Sequence, residues 1–150
     1  VATITAWWEK IGRAKYPNAT TLLITCDGGG SNGHRPWLWK HELARFAAAT
    51  GLTITIAHYP PGTSKWNKIE HRLFSRITGN WRGRPLTTYQ TVVKLISTTT
   101  TQTGLTVSCE LDPNLYPTKT TLTDEQKSAI PITRHQFHPD WNYTITQPEK

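Results

Sequence analysis

Thr21-Leu22-Leu23-Ile24-Thr25-Cys26-Asp27-Gly28-Gly29-Gly30-Ser31-Asn32-Gly33 is the stretch whose reading decides the fold. Its first six residues form a short, nearly continuous apolar run, the pattern of a buried strand. The run stops at an acid and opens into a glycine-rich loop. An acid at the C-terminal end of a strand stands where α/β sheets collect their ligands. The three glycines that follow let a substrate backbone or a metal ion approach closely.

Upstream, Ile4, Trp7, Trp8 and Ile11 recur at helical spacing over residues 3–15, and Tyr16-Pro17-Asn18 breaks the pattern. Downstream, residues 36–50 predict a second helix with Trp39, Leu43, Phe46 and Ala47 on one face, ended by Gly51. Residues 52–58 alternate and are β-branched, so they predict a second strand. After the turn Tyr59-Pro60-Pro61-Gly62-Thr63, Ser64 can cap a third helix over 65–78, with Trp66, Ile69, Leu73 and Ile77 as its stripe. A basic loop follows, then a helix over 87–99 with Tyr89, Val92, Val93 and Ile96 inward. Residues 105–111 predict a strand and residues 124–129 a short helix. The tail is expected to be anchored by Phe137, Trp141 and Tyr143.

Alternating helices and strands are the order of an α/β layer fold, and strands joined through a helix run parallel. Two strands make a poor sheet. Residues 105–111 are therefore expected to extend it, and further strands to precede Val1.

A chain of 150 residues with seven tryptophans can bury a core as one domain, which excludes a disordered chain. No apolar run approaches the roughly 20 residues that cross a bilayer, and no secretory signal opens the chain, so no membrane partner is expected. Cys26 and Cys109 form no C-x-x-C pair and read as reduced thiols of a cytoplasmic protein.

The formal charge of +7 points to an anionic partner, though charge alone says little. Its distribution says more. Lys65, Lys68, Arg72, Arg76, Arg82 and Arg84 stand against the single acid Glu70, with Trp66, Phe74 and Trp81 interleaved. Cations for phosphates and rings for stacking are what a nucleic-acid groove needs. A solvated helix face is the bland alternative.

Asp27 and Glu70, on neighbouring elements among cations and aromatics, fit a divalent-metal phosphoryl-transfer site, since hard Mg²⁺ takes oxygen ligands. On the residues alone, Asp27 can equally be a turn or cap residue, and Glu70 can pair with Lys65 or Arg72. A phosphate-binding P-loop is excluded, because Gly33 is followed by His34 and Arg35 rather than Gly-Lys-Ser/Thr. Ser31 lacks the setting of a nucleophile. His135-x-x-His138 matches no zinc motif, and His71 beside Glu70 reads as a surface histidine.

Three blocks carry a family resemblance: Asp27 to Gly33, Trp39-Lys40-x-Glu42-Leu43, and His58-Tyr59-Pro60-Pro61-Gly62-Thr63-Ser64-Lys65-Trp66-Asn67-Lys68-Ile69-Glu70-His71-Arg72-Leu73-Phe74. With Asn80-Trp81-Arg82-Gly83-Arg84-Pro85-Leu86 and His138-x-Asp140-Trp141-Asn142-Tyr143-Thr144, they make nearly the whole chain resemble the Rhodopirellula-type DDE transposases of bacterial insertion sequences. Asn67-x-Ile69-Glu70 is also similar, more distantly, to the N-x-I-E of mariner-like transposases. The resemblance implies a ribonuclease-H-like fold in which Asp27 matches the second acid of the catalytic triad and Glu70 the third. It places the first acid on a strand before Val1, so this chain is expected to lack three strands and one metal ligand.

The implied chemistry is DNA cleavage and strand transfer with two Mg²⁺ or Mn²⁺ ions about 3.5–4 Å apart. Lys65, Lys68, Arg72, Arg82 and Arg84 would grip the phosphates of transposon ends and target DNA, and Trp81 or Trp66 would stack on an unpaired base. The expected organisation is a catalytic core over 1–104 and an extension packed on it over 105–150. The fragment is expected to be inactive alone. A non-catalytic nucleic-acid-binding remnant is the alternative, and a homodimer through an exposed sheet edge is a further expectation.

Overall fold

The computed structural model describes residues 1–117 and 120–147. Its elements run α1 (Ala2–Trp7), a π-turn (Trp8–Gly12), α2 (Arg13–Lys15), β1 (Thr21–Cys26), α3 (Trp37–Thr50) and β2 (Thr53–His58). A 3-10 turn (Ser64–Trp66), α4 (Lys68–Trp81), α5 (Tyr89–Ser97), α6 (Asp124–Ser128), β3 (Ile132–Arg134) and β4 (Asn142–Ile145) follow. The chain forms two compact units: Val1–Ser64 with Lys119–Lys150, and Lys65–Thr118. Among the described residues no helix is long and apolar enough to cross a membrane.

The first unit is a mixed α/β layer. β1 and β2 pair in parallel through the α3 crossover, from Thr21 opposite Thr53 to Cys26 opposite His58. β4 runs antiparallel to β2 and β3 antiparallel to β4, so the sheet order is β1-β2-β4-β3. α3 ends where Gly51 turns left-handed at φ 80° and its N–H reaches Ala47 O, as the sequence predicts. Trp8, Trp39, Leu43, Phe46 and Ala47 close over Leu52, Ile54, Ile56, Tyr143 and Ile145. Each large side chain fully buried there contributes roughly 1.5–3 kcal/mol.

Several expectations are corrected. Residues 105–111 form no strand: their half-buried and exposed side chains alternate, but no neighbouring strand supplies the ladder. The C-terminal strands β3 and β4 extend the sheet instead. β1 is covered on one face only, so Leu23 stays 61 % exposed between exposed Thr21 and Thr25. In the first helix the π-turn inserts a residue into the helical repeat and shifts the stripe. Trp8 is buried while Trp7 and Ile11 are exposed. Gly12 makes room for this, since a Cβ there would stand 2.5 Å from the Trp8 ring. The Phe137 side chain does not anchor the tail, being 76 % exposed; Tyr143 and Ile145 are buried there.

The second unit pairs α4 with α5. Asn80 Nδ2 donates to Leu95 O and to the hydroxyls of Thr98 and Thr99, tying the end of α4 to the end of α5. Of the apolar stripe expected on α4, Ile77 is buried and Leu73 half-buried, whereas Trp66 and Ile69 are exposed. On α5 the buried residue is Leu95, and Tyr89 is exposed. α4 begins at Lys68 behind Asn67. Ser64, expected as the cap, lies in the preceding 3-10 turn, and its side chain lies outside the described atoms.

Candidate nucleic-acid and metal site

Asp27 leaves the sheet at the end of β1, beside the point where β2 ends. Tyr59 N–H donates to Cys26 O at 2.8 Å, which holds the two exits together. The glycine loop then folds back on itself. A Cβ on Gly33 would stand 2.9 Å from Gly28 O and 3.2 Å from both the Gly29 carbonyl carbon and Gly30 O, all main-chain atoms. Gly29, by contrast, faces open space.

The carboxylate itself is unusual. Asp27 Oδ1 is shut off from solvent and, among the described residues, accepts no hydrogen bond. Acids at such turns commonly accept from a nearby backbone N–H. Here the polar support goes to the main chain instead. His58, buried on β2, places Nδ1 3.2 Å from Asp27 O and 3.2 Å from Cys26 Sγ, with Nε2 3.2 Å from the Tyr143 hydroxyl. Trp39 Nε1 donates to that hydroxyl at 3.1 Å. An indole N–H only donates, so Tyr143 Oη accepts from it; a carbonyl only accepts, so His58 Nδ1 donates to Asp27 O and, in the neutral ring, Nε2 accepts from the Tyr143 hydroxyl.

Burial is the main reason the His58 pKa lies below its ordinary value; His34 and Lys40 push the same way, and the bond to the Asp27 carbonyl opposes them. Burial likewise raises Tyr143, and it pushes the Cys26 thiol up to about 12, with Asp27 adding to the rise. Both cysteines are free thiols.

A second arm reaches the same turn. Lys40 is 3 % exposed. Its ammonium lies 5.0 Å from the Trp37 ring centroid and 5.5 Å from that of Tyr143, and it donates to His34 O. His34 Nδ1 in turn donates to Gly28 O at 3.1 Å. Desolvation lowers the Lys40 pKa; Arg134 adds to this and Asp140 opposes it. The sequence reading missed these residues as a set. Trp39, Lys40, His58 and Tyr143 stand inside the motif blocks, but Trp39 and Tyr143 are 104 residues apart and nothing local links them.

In the second unit Glu70 stands, half-buried, in the first turn of α4. Asn67 donates through Nδ2 to Glu70 Oε2 at 3.0 Å and does not cap the backbone. Among the described residues Glu70 thus pairs with Asn67, and no ion pair with Lys65 or Arg72 is formed. Lys68, Arg72 and Arg76 share one helix face at four-residue spacing, while Glu70, Leu73 and Ile77 share another. Lys65, Lys68, Arg72, Arg82 and Arg84 are exposed, as is Trp66; Trp81 and Glu70 are partly covered. His71 is exposed.

The family model described as the Rhodopirellula transposase DDE domain matches residues 1–147. The chain belongs to that family. Neither a curated protein nor a solved structure matches it. As a transposase DDE domain it has DNA as the partner its family implies, and divalent metal use is general to such domains. Among the described residues no group of three or more His, Cys, Asp or Glu side chains is placed to hold a metal ion. The test of fit is therefore the donor chemistry of each acid. Asp27 offers a buried oxygen without a donor, and Glu70 an oxygen not engaged by Asn67. Both are hard oxygen ligands suited to Mg²⁺ or Mn²⁺.

Proposed function

We propose that this transposase DDE domain serves metal-dependent cleavage and strand transfer of DNA phosphodiesters, with Asp27 and Glu70 as two of its metal-binding carboxylates. The observation that carries the reading is Asp27 Oδ1, buried at a strand end and without a hydrogen-bond donor among the described residues. A buried carboxylate oxygen left in that state costs about 1–3 kcal/mol or more, which a bound cation would offset. The bound ions would supply Lewis-acid stabilisation of the attacking and leaving oxygens. Asn67 would keep Glu70 oriented by holding Oε2. Lys65, Lys68, Arg72, Arg82 and Arg84, all solvent-facing, would bind strand phosphates, and Trp81 would stack on a base.

In this reading the sheet is ribonuclease-H-like, and a third carboxylate comes from a strand preceding Val1. β1 lies at the edge of its sheet, six residues long and uncharged, which suits pairing with that strand or with a second copy. The chain alone is then expected to nick DNA slowly or not at all.

The test is nicking of supercoiled DNA in Mg²⁺ or Mn²⁺ by a polypeptide extended upstream to include the third acid. Asp27→Asn and Glu70→Gln should each abolish it; nicking that survives both substitutions would remove the metal assignment. Size-exclusion chromatography should show self-association of the 150-residue chain, and a monomer at high concentration would count against pairing with a second copy.

A further inference from the structure

The polar contacts around β1 share one target. Two consecutive residues of α3 send hydrogen-bond chains to two consecutive carbonyls, those of Asp27 and Gly28. Trp39 works through Tyr143 and His58 to Asp27 O, and Lys40 works through the main chain and ring of His34 to Gly28 O. The arms meet at Tyr143, whose hydroxyl belongs to the first and whose ring lies near the Lys40 ammonium of the second. The rings of His34 and His58 stand edge-on, 6.0 Å apart.

Direction is set at both ends of the first arm, since the indole cannot accept and the carbonyl cannot donate. Such a chain fixes the imidazole as well as the peptide. None of these bonds goes to the carboxylate. The buried Asp27 Oδ1 has no donor among the described residues.

We infer that His34, Trp39, Lys40, His58 and Tyr143 are positioning residues that hold the main-chain carbonyls of Asp27 and Gly28 and so keep the Asp27 carboxylate available to a divalent cation. The inference rests on the metal reading above for its purpose, while the holding of the turn stands on the geometry alone. Groups that orient a metal ligand through hydrogen bonds typically carry about 10–100-fold in metal affinity or activity.

The experiment uses nuclear magnetic resonance on the chain, with Mn²⁺ as the probe. His58 should show a neutral ring protonated at Nδ1. Mn²⁺ should broaden the Gly28 and Gly29 amide signals, and Asp27→Asn should abolish the broadening. In His58→Leu and Tyr143→Phe the backbone order of residues 27–33 should fall, and the Mn²⁺ concentration for half-broadening should rise about 10–100-fold. His58→Asn keeps an N–H toward Asp27 O and should recover most of the loss. His135→Ala, on the far strand β3 side, should change neither readout. Should His58→Leu fail to fold, Tyr143→Phe, which removes a single oxygen, decides the matter. Unchanged loop order and Mn²⁺ response in Tyr143→Phe would overturn the inference. If Mn²⁺ broadens nothing in the unsubstituted chain, the metal reading fails, and loop order still decides whether these residues hold the turn.

Discussion

The surroundings of His58 favour its neutral ring, which is buried with Nδ1 toward the Asp27 carbonyl and Nε2 toward the Tyr143 hydroxyl. Its folded pKa is lowered, chiefly by burial, whereas the unfolded chain has the ordinary value near 6.5. Between those two values the unfolded state binds the extra proton. The contribution of His58 to stability is therefore fully present above about pH 6.5 and is lost as pH falls through the folded pKa. Thermal melts from pH 7.5 down to 5.5 should show a falling melting temperature below that point. In His58→Asn, which takes up no proton there, the acid limb should be flatter. Identical acid limbs would show that His58 is not buried neutral. At this scale the sequence was partly legible: Asp27 was readable as an acid at a strand end. Its missing hydrogen bond was not, because that depends on where Tyr59, His58 and the loop arrive.

Among elements, the loop after β1 shows that adjacent glycines have unequal work. Gly33 packs against the loop's own main chain, which cannot yield as a flexible side chain could, while Gly29 has open space around it. Gly33→Ala should destabilise the chain by about 1–3 kcal/mol, the usual cost of forcing a methyl group into a packed site. Gly29→Ala should leave the melting temperature close to that of the parent. Comparing the two by thermal or denaturant unfolding checks the assignment, and equal effects would refute it. The sequence pointed to Gly28, Gly29 and Gly30 as the residues allowing close approach. Contact within the folded loop singles out Gly33. The strands tell a similar story. Residues 105–111 have the alternation of a strand and join no sheet ladder, while the short segments β3 and β4 enter the sheet beside β2.

For the molecule as a whole, net charge of +7 and the solvent-facing cations of residues 65–84 predict binding to DNA that weakens with salt. Each phosphate contact contributes a slope of about −0.9 in log K against log salt on duplex DNA. Arg72→Gln and Arg82→Gln should each flatten the slope by about that amount without changing sequence preference, measured by fluorescence anisotropy from 50 to 200 mM salt, a range on the order of that used for such slopes. Arg45→Gln, whose guanidinium is paired with Glu42 on α3, should leave the slope unchanged. A slope insensitive to both Arg72 and Arg82 would show that this surface does not face phosphate.

The sequence by itself determined the α/β class, the parallel pair joined by α3, the acid at the end of β1 and the family, because these follow from short-range periodicity and from motif blocks read along the chain. Only the tertiary structure decided which strands complete the sheet, which face of β1 is covered, and that Trp39 and Tyr143 act together through His58 on the Asp27 peptide. The reason is physical. Hydrogen bonding and burial between residues a hundred positions apart are set by how the layers pack, and no local pattern encodes that meeting.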